Sequence, residues 1–379
     1  MEERHVDGAD DLFRRIFEKE LVVAERNRGK IPYTTVDGRF DDWSNCIGWW
    51  TNGFYAGMLW ELYRVKEAVV FREEAERIEQ KLDQCFTHFT MLDHDNGFKW
   101  LPTAVMNYTL TGNEASRDRG ILAATCLAGR YNPAGQFLRA WNDTEEENRA
   151  GWVIIDSMMN LPLLYWASEV TKDSRFAQIA RNHANTVRRE FIRENGSAHH
   201  IVVFDPDTGK RVKALGGQGI DENSSWTRGQ SWALYGFAQS YSYTKESRYL
   251  ETAIKVAEYI LLELKQWEFL PVDFKQDSSL DWEDSTAAAI MACGFLELAE
   301  HVEGELWEQC CLTAVRLVKT LAEHRCNFDS DTDNLLEKCS AAYHDSNHNF
   351  PIIYGDYYFV KAIIRLMGQH DEIKRVKIS

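Results

Sequence analysis

The chain has 379 residues, and 59 Asp and Glu against 43 Lys and Arg leave a formal charge of -16. That balance excludes nucleic acid as the general partner, because a polyanion is repelled, so an anionic ligand needs a local positive pocket. No run of 18 apolar residues occurs, so no membrane partner is expected.

In chain order the apolar residues recur at helical spacing, and two kinds of helix alternate. Residues 9 to 27 predict an amphipathic helix, and GFYAGMLWELYRV at 53 to 65 predicts one that is apolar on nearly every face. An amphipathic stretch at 69 to 87 follows, then the apolar LPTAVMNYTL at 101 to 110 and an outer helix at 116 to 130. The same pair repeats as LPLLYWASEV at 161 to 170 with 173 to 193, and as SWALYGFAQSYSY at 231 to 243 with 246 to 265. It closes with STAAAIMACGFLELAE at 285 to 300, an outer helix at 305 to 324, and GDYYFVKAIIRLM at 355 to 367. The joining turns are alike: YTLTGNEASR, ASEVTKDSR and YSYTKESR each carry Thr, a polar pair and then Ser-Arg, which is expected to cap the next helix. Six apolar helices ringed by six amphipathic ones predict an all-α fold, a closed (α/α)6 barrel. The expectation is one domain over 1 to 379, rather than an open helical scaffold.

If the inner helices run parallel, the loops entering them share one mouth. Trp49, Trp50, Thr51 and Asn52 precede the first, Asp93, His94 and Asp95 the second, and Asp156 the third. Gln218, Trp226 and Arg228 precede the fourth, Asp284 the fifth, and Gly355 and Asp356 the sixth. Aromatic faces with carboxylates and amides suit a sugar ring, and the helix N-termini favour a bound carboxylate. Asp284 and Asp356 are expected to be helix N-caps. Asp156 follows the apolar WVII and precedes Pro162, so it is expected half buried, with a raised pKa that makes a general acid. His94 sits in DHDNGF, and His199 and His200 precede IVVF, where they are equally consistent with the edge of the core. Arg228, before a Gly and a buried helix, needs an acidic partner or a bound anion, and the reading taken is an anion at the mouth.

The eight cysteines form no CxxC pair and no metal cluster with histidine at ligand spacing, which predicts reduced, mostly buried thiols. The N-terminus is charged from its second residue and carries no apolar signal, so a cytoplasmic protein is expected.

The blocks DHDNGF, IIDSMMNLPLLYWA, GQGIDENSSWTRGQSWALYGFA, DSTAAAIMACGFLELA and GDYYFVKAIIRL, in this order, resemble unsaturated glucuronyl hydrolases, glycoside hydrolase family 88. The resemblance spans nearly the whole chain and implies the same (α/α)6 barrel. It implies removal of a non-reducing-end uronate with a C4=C5 double bond, the product of a polysaccharide lyase, by hydration of the vinyl ether. Asp156 then matches the catalytic acid and base, and Asp95 the second essential aspartate. His94, Trp141, His200, Gln218, Trp226, Arg228 and Trp232 match the lining of the sugar subsite, with Trp50 and Asn52 nearby. No metal or organic cofactor is implied, and the partner is an unsaturated uronate-containing di- or oligosaccharide bound by a monomer or weak homo-oligomer. One departure stands out: SAAYHDSNHNFPIIYGDYY has no lysine where relatives favouring sulfated fragments carry one, and Asp345 opposes sulfate. The alternatives are an unsaturated rhamnogalacturonyl hydrolase, a non-catalytic sugar-binding barrel, and an epimerase-type barrel using His94 and His200.

Overall fold

The computed structural model describes residues 8 to 368. Its helices are α1 (Ala9–Arg26), α2 (Phe54–Val65), α3 (Val69–Leu82), α4 (Asn96–Trp100), α5 (Met106–Thr111), α6 (Glu114–Ala128) and α7 (Leu161–Thr171). They continue with α8 (Ser174–Glu190), α9 (Thr227–Thr244), α10 (Ser247–Glu263), α11 (Ser285–Ala299), α12 (Gly304–His324) and α13 (Ile353–Leu366). A π-turn, Leu101–Val105, joins α4 to α5 and carries Pro102, so these three segments make one inner helix that is wound loosely at its middle.

The inner ring packs α2 on the α4–α5 unit, then α7, α9, α11 and α13, and closes where α13 returns to α2. The remaining helices lie outside, and α1 bridges α13 and α3. Burial follows composition. Every residue of α13 and all of α9 from Thr227 to Ser240 are buried. Outer α8 buries one stripe, Phe176, Ala180, His183, Ala184 and Val187, and turns its arginines outward. The structure is the (α/α)6 barrel that the repeat predicts.

The joining turns differ from the expected Ser-Arg cap. Asn113 caps α6 by accepting from the N–H groups of Ala115 and Ser116, and Asp173 caps α8. The recurrent threonine ends the inner helix instead. The hydroxyls of Thr111, Thr171 and Thr244 donate to the carbonyls of Asn107, Ala167 and Ser240 at 2.7, 2.6 and 2.7 Å, and each accepts the N–H two residues on. Between threonine and cap the backbone turns left-handed, at Gly112 (φ 71°), Lys172 (φ 60°) and Lys245 (φ 56°).

Short antiparallel strands lie between the helices, which the all-α reading did not anticipate. Strands β1 (Thr35–Val36) and β2 (Arg39–Phe40) pair, as do β3 (Tyr131–Asn132) and β4 (Phe137–Leu138). A three-stranded sheet places β6 (Ile201–Phe204) between β5 (Trp152–Ile154) and β7 (Arg211–Leu215). The β-branched runs WVI and IVVF carried that signal, hidden by their brevity. None of the eight cysteines forms a disulfide, and Cys85, Cys293, Cys310 and Cys339 are buried.

Candidate active site

Register in the small sheet brings together residues far apart in sequence. Ile154 pairs with Ile201, and the Ile155 N–H donates to the His200 carbonyl at 3.0 Å. Asp156, in the 3-10 turn Ile155–Met159 entering α7, is thereby set beside His200, with Asp156 Oδ2 3.5 Å from His200 Nε2. A second backbone node positions His94: Ala140 donates its N–H to the Trp152 carbonyl at 2.8 Å and accepts from the His94 N–H at 3.1 Å. His94 Nε2 lies 3.2 Å from Asp95 Oδ2, and its Nδ1 is 3.0 Å from Ser157 Oγ. Each aspartate therefore has its own histidine.

His94, Asp95, Asp156 and His200 are all at least nine-tenths buried. Asp156 Oδ2 has no hydrogen-bond partner among the described residues. Electrostatics separates the two carboxyls. Burial pushes Asp95 up, and His94 offsets this only in part, so Asp95 stays above the ordinary carboxylate range. Burial also pushes Asp156 up, but His200, His94 and Arg228 together outweigh it and leave Asp156 below that range. The expectation of a raised Asp156 is thus corrected: three neighbours that can carry positive charge outweigh desolvation. Burial pulls His94 down, yet the Asp95 carboxylate overcomes it and the net shift is upward.

Arg228 is also corrected. It is 1 % exposed, and its Nη1 meets Asp284 Oδ2 at 3.1 Å, Thr286 Oγ1 at 3.1 Å, the Ser340 carbonyl at 2.8 Å and the Tyr354 hydroxyl. Its Nη2 donates to the Ala341 carbonyl. The acidic partner it needs is the internal Asp284, and its charge also acts through space on Asp156. Asp284 caps α11 as expected, accepting from the N–H groups of Thr286 and Ala287. Asp356 does not cap a helix. It lies one turn inside α13 and accepts from the N–H groups of Leu335 and Leu336 at 3.0 and 2.7 Å.

The predicted aromatic residues divide by exposure. Trp50 and Trp141 are half-buried, and Trp141 meets His94 edge-on at 5.9 Å. Trp226 is buried between His200, 4.4 Å between ring centres, and the Arg228 guanidinium, 4.7 Å from its ring. Trp232 is fully buried in a floor with Phe98 and Tyr358. Gln218 donates its backbone N–H to His200 Nδ1 at 2.9 Å and its side-chain amide to the Ala341 carbonyl at 2.8 Å. Asn52 is fully buried and donates to the Cys46 and Ile47 carbonyls, so it shapes the entry to α2 rather than the open mouth. Ser157 was missed. It stands in the quoted IIDSMMN block, but its contact with a histidine 63 positions away has no sequence signal.

A small pocket lies beyond the floor, lined by Phe54, Phe98, Tyr235, Gln239 and Lys361 among others, and neither aspartate lines it. Glu297, Glu300 and His301 gather their ligand atoms within 4.8 Å, a grouping the cysteine-centred reading passed over. Arg365 pairs with both glutamates, at 3.1 and 2.6 Å, which makes this an ion-pair cluster.

Residues 23 to 257 match the model of Glycosyl Hydrolase Family 88. The chain belongs to that family. This family 88 glycoside hydrolase is 32% identical over 329 residues to the unsaturated glucuronyl hydrolase of Bacillus sp. (strain GL1), covering 84% of this chain and 86% of that one. It is 30% identical over 326 residues to the unsaturated chondroitin disaccharide hydrolase of Streptococcus pneumoniae (strain ATCC BAA-255 / R6), covering 83% and 81%. The crystal structure of the unsaturated glucuronyl hydrolase from Bacillus sp. GL1, responsible for the degradation of glycosaminoglycan, superposes with a TM-score of 0.87 at 29% identity, covering 93% of this chain and 96% of that one.

Proposed function

We propose that this family 88 enzyme, acting as one catalytic domain, removes the unsaturated glucuronate from the non-reducing end of lyase-generated oligosaccharides of glycosaminoglycan type, by hydrating the vinyl ether with Asp156 as general acid and base. The observation that carries the reading is Asp156 itself: a nine-tenths-buried carboxyl at the mouth with an oxygen that no described residue satisfies. A buried polar atom left open in this way is a cost that catalytic sites tolerate.

The ligand-free site holds Asp156 as a carboxylate, so it must gain a proton before it can act as an acid. An entering uronate brings a negative charge and displaces water, and both effects raise the Asp156 pKa. Asp156 then gives its proton to C4, and water attacks C5 while the regenerated carboxylate takes the water's proton. The C5 hemiketal opens by breaking the C5–O5 bond. C1, now a hemiacetal, expels the partner sugar and leaves an open-chain keto uronate, so one water is consumed overall. Asp95, held by His94, takes the sugar hydroxyls and need not be a nucleophile, so the carboxylate-separation rule for inversion and retention does not apply. Trp50 and Trp141 offer the half-open aromatic faces. Trp226, Trp232 and Arg228 support the site from within its walls.

The experiment follows the ultraviolet absorbance of unsaturated disaccharides, sulfated and unsulfated, with wild type and Asp156→Asn. Loss of the conjugated-alkene signal is expected with wild type, and a fall of about 10²–10⁴-fold in kcat with the variant. Turnover only of unsaturated rhamnogalacturonan fragments would overturn the substrate assignment, and full activity of the variant would overturn the role of Asp156.

A further inference from the structure

The two histidines that flank the aspartates are held differently at their second ring nitrogen. His200 Nδ1 accepts the backbone N–H of Gln218 at 2.9 Å, with the Gly216 carbonyl a longer contact at 3.3 Å. A backbone N–H cannot reverse its role, so the hydrogen of neutral His200 sits on Nε2 and faces Asp156. His94 Nδ1 meets a hydroxyl instead, Ser157 Oγ at 3.0 Å, and both residues are buried. A hydroxyl donates or accepts by rotating. When His94 is neutral, Ser157 donates to Nδ1 while Nε2–H faces Asp95 Oδ2 at 3.2 Å; when His94 is protonated, Nδ1–H donates to Ser157 Oγ. In both states Nδ1 keeps its hydroxyl partner.

That freedom matters because of the charges facing His94. Asp93 and Asp95 come from its own turn, Asp156 from the turn entering α7, and the neutral, buried His183 from α8. A substrate carboxylate adds a further negative charge at the same mouth, and a proton taken up by His94 offsets it locally. We infer that Ser157 is a positioning residue that lets His94 gain and lose a proton beside Asp95 as the anionic sugar enters and leaves. The inference rests on the hydration reading given above.

The test combines two readouts on the full chain. Protein labelled with nitrogen-15 in its histidines is titrated by NMR as wild type, Ser157→Ala and Ser157→Thr, while kcat and KM are followed against pH on an unsaturated disaccharide. Without the acceptor hydroxyl, His94 in Ser157→Ala is expected to titrate about one pH unit lower, with KM raised about tenfold where the wild type is protonated. The pH at which KM begins to rise moves down with it, kcat stays within about twofold, and Ser157→Thr restores both. An unchanged His94 titration in Ser157→Ala overturns the inference, and so does a loss of kcat with the pH profile fixed. If neither variant folds, the wild-type spectrum decides alone: at high pH, a hydrogen on Nε2 of His94 supports the arrangement and one on Nδ1 overturns it. A wild type inert on every unsaturated uronide sinks the hydration reading and the substrate half of this inference, and the nitrogen titration then decides the Ser157–His94 half.

Discussion

Asp95 and Asp156 are both buried acids at one mouth, yet their neighbours push them in opposite directions. Asp95 has one histidine, and burial wins; Asp156 has His200, with His94 and Arg228 adding their fields, and burial loses. The pH dependence of catalysis follows from the second case. The protonated fraction of Asp156 falls as pH rises through its pKa, so kcat/KM is expected to decline on the alkaline side. Replacing His200 by Asn removes the largest influence holding Asp156 down, so its pKa rises and the alkaline limb moves to higher pH, even as the maximal rate falls. A pH–rate profile of His200→Asn checks this, and a limb moving to lower pH contradicts it.

At the scale of elements, the site depends on how closely short α4 approaches the turn that carries Asp156. Gly97 makes the approach possible, since a Cβ there would lie 2.5 Å from the Cα and Oδ1 of Asn160. Asn160 Oδ1 accepts the Phe98 N–H at 2.8 Å, which ties the two segments together. Gly97→Ala is expected to force them apart at a cost of about 1–3 kcal/mol in urea unfolding. Because it also shifts Asp95, at the start of α4, away from Asp156, turnover is expected to fall by about 10²-fold. An alanine variant with wild-type kcat would show that this spacing does not set the geometry. The three-stranded sheet works in the same way: residues 156 and 200 meet because Ile154 and Ile201 are in register.

Across the whole molecule, α1 is clamped to the barrel by a buried polar network remote from the two aspartates. Lys19 Nζ donates to the Asn327 and Asn334 carbonyls, and Asp333 holds Arg26, Asn27 and the Phe40 N–H. Glu20 is fully buried, neither of its carboxylate oxygens has a hydrogen bond among the described residues, and burial pushes its pKa up to about 8. Asp356 nearby is pushed up to about 7 for the same reason. Both acids hold their protons more tightly folded than unfolded, so their contribution to stability is full below about pH 4 and is lost as pH rises through about 7 to 8. The melting temperature is expected to fall between pH 5 and pH 9, and Glu20→Gln, which cannot ionise, to melt roughly 3 °C or more above wild type at pH 9. Equal melting of the two proteins at pH 9 would count against a proton held at Glu20.

The sequence by itself determined the barrel, because a helix buried on all sides and one buried on a single stripe have different compositions, and their alternation is visible without contacts. It also determined which loops share the mouth, since that follows from parallel inner helices, and the cap at Asp284, since capping is local. Tertiary structure decided the rest. That Arg228 is neutralised by Asp284, that Asp356 secures residues 335 and 336, and that Asp156 lies below the ordinary range all depend on partners 20 to 72 positions away. A pKa and an ion pair are sums over neighbours in space, and a single chain read in order has no term for a neighbour that only folding supplies.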